Sequence, residues 1–195
     1  MSASSFAELI IGKLESAIGK DGTAFTENTP SIANKAIANA VTEYLIKNTK
    51  ITVQYTGMIP GTPPVPDPTV IDVLEIEGNC EPPSIADNFN TWISDLGSKI
   101  QSGFFLGKGK AGVVTTKPKS VNCFIGVPLL IDVTEIKSIH LGNLENTNDP
   151  QKVIWEYICN KIILWLCGIR GIPFSGKNDK TGSKGTGTTT ITLVS

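Results

Sequence analysis

The sequence predicts a single α+β domain over residues 1–195, with about four helices packed on a mainly antiparallel sheet. Four segments combine apolar residues at helical spacing with a start signal. The segments between them are rich in β-branched residues, which is typical of strands. Two further segments, 57–69 and 170–188, are rich in proline or glycine, and we predict that they project as extended hairpin arms.

The first two helices have clear start signals. One is predicted to begin at Ser5, where Glu8 completes a capping box, and to end at Gly19. Its apolar residues share one face: Phe6, Leu9, Ile10, Leu14 and Ile18. The next begins at Thr29 with Pro30 in its first position. Its apolar stripe consists of Ile37, Val41, Tyr44 and Leu45.

Two more helices follow further along the chain. The third is predicted to begin at Ser84, with Asp87 three residues later. Its apolar face contains Ile85, Phe89, Trp92, Ile93, Leu96 and Ile100. The fourth begins at Asp149 with Pro150 in its first position and ends at Gly168. Its second half is apolar on nearly all sides, so it lies in a core or is half covered by another chain.

Strands are predicted between the helices. The segments 51–57 and 69–78 are separated by a loop with five prolines, which favours an extended connection. The segments 111–117 and 121–133 form another predicted pair, and 187–195 forms the last strand. Alternation along 69–78 should place Glu75 and Glu77 on one side and Asp72 on the other, which makes an exposed acidic edge.

Charge is sparse and unevenly distributed. Charged residues make up 18% of the chain, against about a quarter in typical globular proteins. Residues 1–98 contain twelve acids and five lysines, a net charge of −7, whereas residues 99–195 contain six acids and twelve basic residues, a net charge of +6. If the two halves expose different faces, the basic face of one copy can meet the acidic face of the next. Scattered solvated charges are the alternative.

One segment approaches a phosphate-binding loop. Gly171–Asn178 reads GIPFSGKN, but the segment follows a helix and Asn178 replaces the required hydroxyl residue. The four cysteines have no metal-ligand spacing. We therefore predict no cofactor and no metal, and we expect a protein that is not an enzyme.

Two other functions remain as alternatives. A small cytoplasmic hydrolase or transferase would use Cys123 or His140, and a pair of carboxylates among Asp72, Glu75 and Glu77 is a weaker candidate. A nucleic-acid-binding protein would use lysines, among them Lys99, Lys108, Lys110, Lys117 and Lys119. Sequence-specific recognition is not expected, because only one of the 17 basic residues is an arginine.

No membrane segment is predicted, because no apolar run reaches the length of a span and the N-terminus does not resemble a signal peptide. Low charge, many Thr, Gly, Ala and Ile residues and arm-like loops give the chain its general character. In this the chain resembles structural proteins of tailed-bacteriophage virions, such as neck, tail or baseplate subunits, most of all in IANAVTEYLIKNTKITVQYTG and GTGTTTITLVS.

The resemblance implies a subunit that is made in the host cytoplasm and located in the virion. Its partners would be copies of itself and other virion proteins, joined through loops and strands. We expect contacts from the two arms, the last strand and the end of the fourth helix. The interface candidates are Pro60, Pro63, Pro64, Trp165, Arg170, Phe174, Lys177, Ile191 and Leu193.

Overall fold

The computed structural model describes residues 2–19, 27–110, 112–115, 122–124, 126–143 and 149–193, which form five helices and seven strands. The helices are α1 (Ala3–Ile18), α2 (Thr29–Asn48), α3 (Phe89–Gly103), α4 (Val133–Asn143) and α5 (Pro150–Gly168). The strands are β1 (Thr49–Ile59), β2 (Val65–Pro66), β3 (Val70–Gly78), β4 (Phe104–Gly109), β5 (Val114–Thr115), β6 (Arg170–Asn178) and β7 (Lys184–Leu193).

The sheet is antiparallel throughout and closes on itself. Six strands follow one another in the order β1, β3, β4, β5, β6 and β7, and β7 pairs again with β1 over ten residues. Strand β2 pairs only with the end of β1, where Ile59 lies opposite Val65. The predicted α+β class and antiparallel sheet are confirmed. Closure into a barrel was not predicted.

The barrel interior is filled by the inward-facing half of each strand. Side chains alternate between the two faces of a strand, so every second residue is buried. The inward-facing apolar residues include Ile51, Val53, Tyr55, Leu74, Ile76, Leu106, Val114, Phe174 and Ile191. The rings of Tyr55 and Phe174 lie 6.3 Å apart between centroids; the Tyr55 ring lies beside Gly57 of β1 and the Phe174 ring beside Gly187 of β7.

The helices cover one end of the barrel. Helix α2 continues directly into β1, α3 into β4, and α5 reaches β6 through Ile169. Because alternate strands of a closed antiparallel sheet run in the same direction, these three strands begin at the same end, here called the helical end. The opposite end, here called the distal end, is formed by the connections β1–β3, β4–β5 and β6–β7. Within the helical layer, the ring of Phe6 stacks on Tyr44 at 3.9 Å.

The helix predictions hold with two corrections. Helix α5 has the predicted Asp149 cap and the predicted end, and α2 begins at Thr29 as expected. The cap of helix α1 is Ser2, three residues before the predicted cap at Ser5. The predicted start of α3 at Ser84 is wrong, because Asn88 provides the capping oxygen to Thr91 N. The described residues contain five helices and not about four.

The fifth helix, α4, follows a segment that was predicted to be a strand. The segment 121–133 was expected to pair with 111–117, but in the described residues only Asn122 forms an isolated bridge, with Phe105. The helix begins at Val133, where the strand was predicted to end. Of segment 111–117, residues 114 and 115 form β5, while residue 111 and residues 116–117 lie outside the described residues.

The second predicted arm is mostly barrel wall, whereas the first is mostly a loop. Residues 170–178 and 184–193 are β6 and β7, so the prediction of a projecting loop over 170–188 is wrong. In 57–69, β1 continues to Ile59 and β2 returns at Val65, which leaves a short proline-rich tip. Within the described part of the chain, none of the helices combines the length and apolar character needed to cross a membrane.

Candidate interaction surfaces

A buried polar cluster closes the distal end of the barrel. At its centre is Asp67, whose side chain is 4% exposed. Its Oδ2 accepts hydrogen bonds from the Ser183 hydroxyl, from Thr181 Oγ1 at 2.8 Å and from Asn178 Nδ2 at 3.2 Å. These bonds, with that from Ser183 the strongest contributor, hold the pKa of the Asp67 carboxyl below its usual range. The carboxylate is therefore ionised at neutral pH.

The same cluster joins the two segments that the sequence predicts to be arms. Asp67 N donates to Gly57 O at 2.8 Å, and the Tyr55 hydroxyl inside the barrel donates to Ser183 O at 2.9 Å. Asn178 N in turn donates to Ser183 O across the β6–β7 turn, at 2.9 Å. The Asp67 cluster is thus fully hydrogen-bonded. It holds the proline-rich loop and the β6–β7 turn against each other.

The candidate carboxylates are not brought together. Asp72 is buried inside the barrel, where its carboxylate accepts from Val73 N at 2.8 Å and from Val114 N at 3.1 Å. Glu75 and Glu77 are exposed on the outside of β3, as alternation predicts. The barrel wall separates the two groups, so Asp72 cannot work with either glutamate as an acid–base pair.

The candidate nucleophile is inaccessible. Cys123 is 1% exposed, and burial raises the pKa of its thiol well above the usual value. A thiol in such surroundings is a poor nucleophile, because the reactive form is the thiolate. The side chain of His140, the other candidate, lies outside the described residues. No three His, Cys, Asp or Glu side chains within the described ranges are placed to hold a metal ion.

Five interface candidates have accessible or half-buried side chains. Pro60, Pro63 and Pro64 are exposed at the distal end, and Lys177 is exposed on β6. Trp165 is half-buried, and its indole Nε1 donates to Val127 O at 2.7 Å, so it fastens a loop of its own chain.

The remaining candidates are buried or outside the described residues. Phe174 and Ile191 are 3% and 2% exposed and face the barrel interior, so we correct them from interface candidates to core residues. Strand alternation explains the correction, since their exposed neighbours are Ser175 and Thr192. The backbones of Arg170 and Leu193 belong to β6 and β7, and their side chains lie outside the described residues.

Large apolar side chains are exposed at both ends of the molecule. At the distal end Met58 is 46% and Val65 56% exposed, beside the three exposed prolines; this region is here called the distal apolar tip. At the helical end Val127 is 72%, Leu130 77% and Leu164 60% exposed, and these residues are here called the helical-end patch. The sequence did not reveal Val127 and Leu130, because their apolar run was assigned to a buried strand.

A groove of about 520 Å³ between α4 and α5 adjoins the helical-end patch at Leu164. Within it, Lys161 Nζ lies 3.2 Å from Glu135 Oε2 and 5.1 Å from the centre of the Tyr157 ring. The Tyr157 hydroxyl is buried and has no hydrogen-bond partner among the described residues. The groove is therefore lined mainly by polar residues, with Leu164 on the side that meets the helical-end patch.

Comparison with models of protein families, with characterised proteins and with solved structures finds no match for this chain.

Proposed function

We propose that the protein is a structural assembly subunit of a bacteriophage particle, of the kind found in the neck, tail or baseplate. The general resemblance of the sequence to such subunits supports this reading. The observation that carries it is the exposure of Val127, Leu130 and Leu164, at 72%, 77% and 60%, in the helical-end patch. Val127 and Leu164 lie near each other, because Trp165, which follows Leu164, donates to Val127 O. Grouped exposed apolar side chains on a folded domain mark an interaction site.

The apolar surface is large enough to matter energetically. Full burial of a Val or Leu side chain contributes roughly 1.5–3 kcal/mol, so covering three of them yields a substantial part of the free energy of association. Trp165 holds the loop of Val127 in place, which lowers the entropy lost when a partner binds. The patch is therefore already formed in the free subunit.

The partner surface that we favour is the distal apolar tip of the next copy. The tip lies where the β1–β7 pairing ends, with Met58 opposite Lys184, and the helical-end patch adjoins a groove between α4 and α5. The two surfaces lie at opposite ends of one chain, so such a contact is heterologous. Repetition of a heterologous contact builds a ring when the rotation closes and a tube when it does not.

The test is the mass in solution, measured by light scattering over a concentration series. We expect the wild-type chain to exceed its monomer mass of 20.8 kDa, and Met58→Asp or Leu130→Asp to reduce it to that value. The control is Ile46→Asp, because Ile46 is 49% exposed on α2 and belongs to neither surface. A monomeric wild type at every concentration, or an equal loss with the control, would contradict the proposal.

The location in a particle has its own test. We expect quantitative mass spectrometry of purified virions to find this chain at a fixed ratio to the other structural proteins. Its absence from purified particles would contradict the virion assignment and leave the self-assembly result intact.

A further inference from the structure

One broad face of the barrel carries hydroxyl, amide and ammonium groups and no acid. The outward-facing residues of β7 are Lys184, Thr186, Thr188, Thr190 and Thr192, and all of them are exposed. The adjoining outward residues are Ser175 and Lys177 on β6 and Lys50, Gln54 and Thr56 on β1. We call this surface the threonine–lysine face.

Cross-strand register arranges these side chains in rows. Thr186 lies opposite Ser175 on one side and Thr56 on the other, and Lys184 lies opposite Lys177 and Met58. Rows repeat every second residue, roughly 6.8 Å along the strand, and neighbouring strands lie roughly 4.8 Å apart. The hydroxyl groups therefore form a regular array that any extended ligand along β7 would meet repeatedly.

The lysines of this face have no acidic partner among the described residues. Elsewhere in the described chain, Lys13, Lys152 and Lys161 form ion pairs with glutamates at 2.9, 2.7 and 3.2 Å. Lys177 and Lys184, in contrast, lie directly opposite each other in the ladder. Like charges opposite each other on adjacent strands destabilise a sheet. The pair therefore opposes folding, and a bound anion between the two ammonium groups would remove that repulsion.

We propose that the threonine–lysine face binds the phosphate backbone of nucleic acid without reading its bases. Lys, Ser, Thr and Gln side chains are the groups that contact phosphate and sugar oxygens in such complexes. The described residues of β1, β6 and β7 on this face include no carboxylate that would repel a phosphate. Exposed Glu75 lies on the neighbouring strand β3 beside Lys50, at the edge of the face. The described side chains of the face include no aromatic ring and no guanidinium, the groups that stack on bases or recognise their edges. Arg170 lies opposite Thr190 in the ladder, and its side chain lies outside the described residues.

The expected affinity follows from the number of lysines. The β7 side chains from Lys184 to Thr192 span roughly 27 Å, a length that matches about eight phosphates of one strand. Three lysines, Lys50, Lys177 and Lys184, project from the face. Neutralising about three phosphates gives a slope of about −2.7 for log K against log salt concentration. Affinity should therefore fall about 40-fold between 50 and 200 mM salt.

The experiment uses the full chain and a labelled 30-base-pair DNA of mixed sequence, with fluorescence anisotropy at several salt concentrations. One variant carries Lys50→Gln, Lys177→Gln and Lys184→Gln. Its matched control carries Lys35→Gln, Lys47→Gln and Lys137→Gln, three exposed lysines on helices, so the net charge changes equally. We expect the face variant to bind at least tenfold more weakly at 50 mM salt, and the control to bind like the wild type.

A third variant tests the hydroxyl groups without changing charge. Thr186→Val, Thr188→Val and Thr190→Val together keep the shape and strand preference of the side chains. We expect this variant to bind about three- to tenfold more weakly with the salt slope unchanged, since hydroxyl groups release no counterions.

Three results would overturn the proposal. These are no binding of wild type at 50 mM salt, equal loss in the face variant and its lysine control, and equally strong binding of polyglutamate. Equally strong binding of polyglutamate would mean that the face binds an acidic protein surface, such as the acidic side of a second copy. The outcome is independent of the assembly proposal, because the light-scattering test uses other residues and requires no DNA.

Discussion

The Asp67 carboxylate accepts a hydrogen bond from the Ser183 hydroxyl, which lies 116 residues away in the sequence. This bond connects the proline-rich loop after β1 to the turn before β7. It explains why two segments with the composition of flexible loops have defined positions. The polar groups of each segment form hydrogen bonds with those of the other at the distal end of the barrel. A buried polar group without such partners would strongly destabilise the fold.

We expect Asp67→Asn to lower the urea midpoint at pH 7, because an amide cannot accept all three hydrogen bonds of the carboxylate. The control is Asp87→Asn, an exposed residue outside the cluster, for which no change is expected. Urea unfolding followed by circular dichroism measures both midpoints. Equal midpoints for Asp67→Asn and wild type would show that the cluster does not hold the distal end together.

The same substitution predicts a pH dependence. The pKa of Asp67 is lowered in the folded state, so its contribution to stability is complete above the ordinary Asp pKa of about 3.9. That contribution is lost as the pH falls through the lower folded-state pKa. The difference in urea midpoint between wild type and Asp67→Asn should therefore shrink below about pH 4. A difference that stayed constant down to pH 2 would contradict the assignment.

Glycines in β7 are required by close packing inside the barrel. A Cβ atom on Gly187 would overlap Gln54 O and the Phe174 ring. We expect Gly187→Ala to lower the free energy of unfolding by about 1–3 kcal/mol, the usual effect of overpacking a filled core. Gly12→Ala on α1 is the control, because nothing lies within 4 Å of its added Cβ. It should raise the free energy of unfolding by about 0.5–1 kcal/mol through helix propensity. Denaturant unfolding of both variants measures whether the free energy of unfolding falls for Gly187→Ala and rises for Gly12→Ala.

Local signals predicted the helices better than the barrel. Asp149 with Pro150 fixed the start of α5, because a cap and a proline act through the neighbouring backbone alone. The glycines of β7 were assigned to a loop, although close contacts with other strands require them: Gly187 lies against Phe174 and Gln54 O, and Gly185 lies against Thr56 O. Such contacts arise from tertiary packing, and the residues that neighbour a glycine in the sequence do not predict them.

For the candidate site residues too, local patterns predicted the structure correctly, whereas contacts between distant segments were missed. Alternation within β3 correctly separated Glu75 from Asp72, because the period of a strand is a local property. Phe174 and Ile191 were placed at an interface because their segment was assigned to an arm. Once β6 and β7 are strands, the same alternation puts both side chains in the core. The Asp67 cluster was missed because its partners are more than 110 residues away.

Buried thiols give a further prediction. Cys80, Cys123 and Cys159 are at most 4% exposed, and burial raises the pKa of Cys80 to about 12 and that of Cys123 and Cys159 further. We expect these three thiols not to react with Ellman's reagent in the native protein at pH 8. The observation time is the time in which all thiols of the unfolded protein react. Labelling of half-buried Cys167 does not conflict with this prediction. Labelling of native Cys123, located by peptide mass spectrometry, would revive the hydrolase or transferase alternative.

The opposed lysines of the threonine–lysine face give the last prediction. Replacing Lys184 by Gln removes the like charge opposite Lys177 and keeps the length of the side chain. We expect Lys184→Gln to raise the free energy of unfolding by about 0.5 kcal/mol at 20 mM salt, within the range for cross-strand pairs. The gain should vanish at 0.5 M salt, where the charges are screened over a few ångströms.

The control for this last prediction is Lys137→Gln on α4, an exposed lysine that has no cross-strand neighbour. Urea unfolding at both salt concentrations should show no gain for it. A Lys184→Gln variant that is less stable than wild type at low salt would mean that the lysine pair supports the fold. The argument for an anion-binding role would then lose its energetic basis. Greater stability of Lys184→Gln together with weaker DNA binding would instead show that the Lys177–Lys184 pair lowers the stability of the fold and strengthens binding.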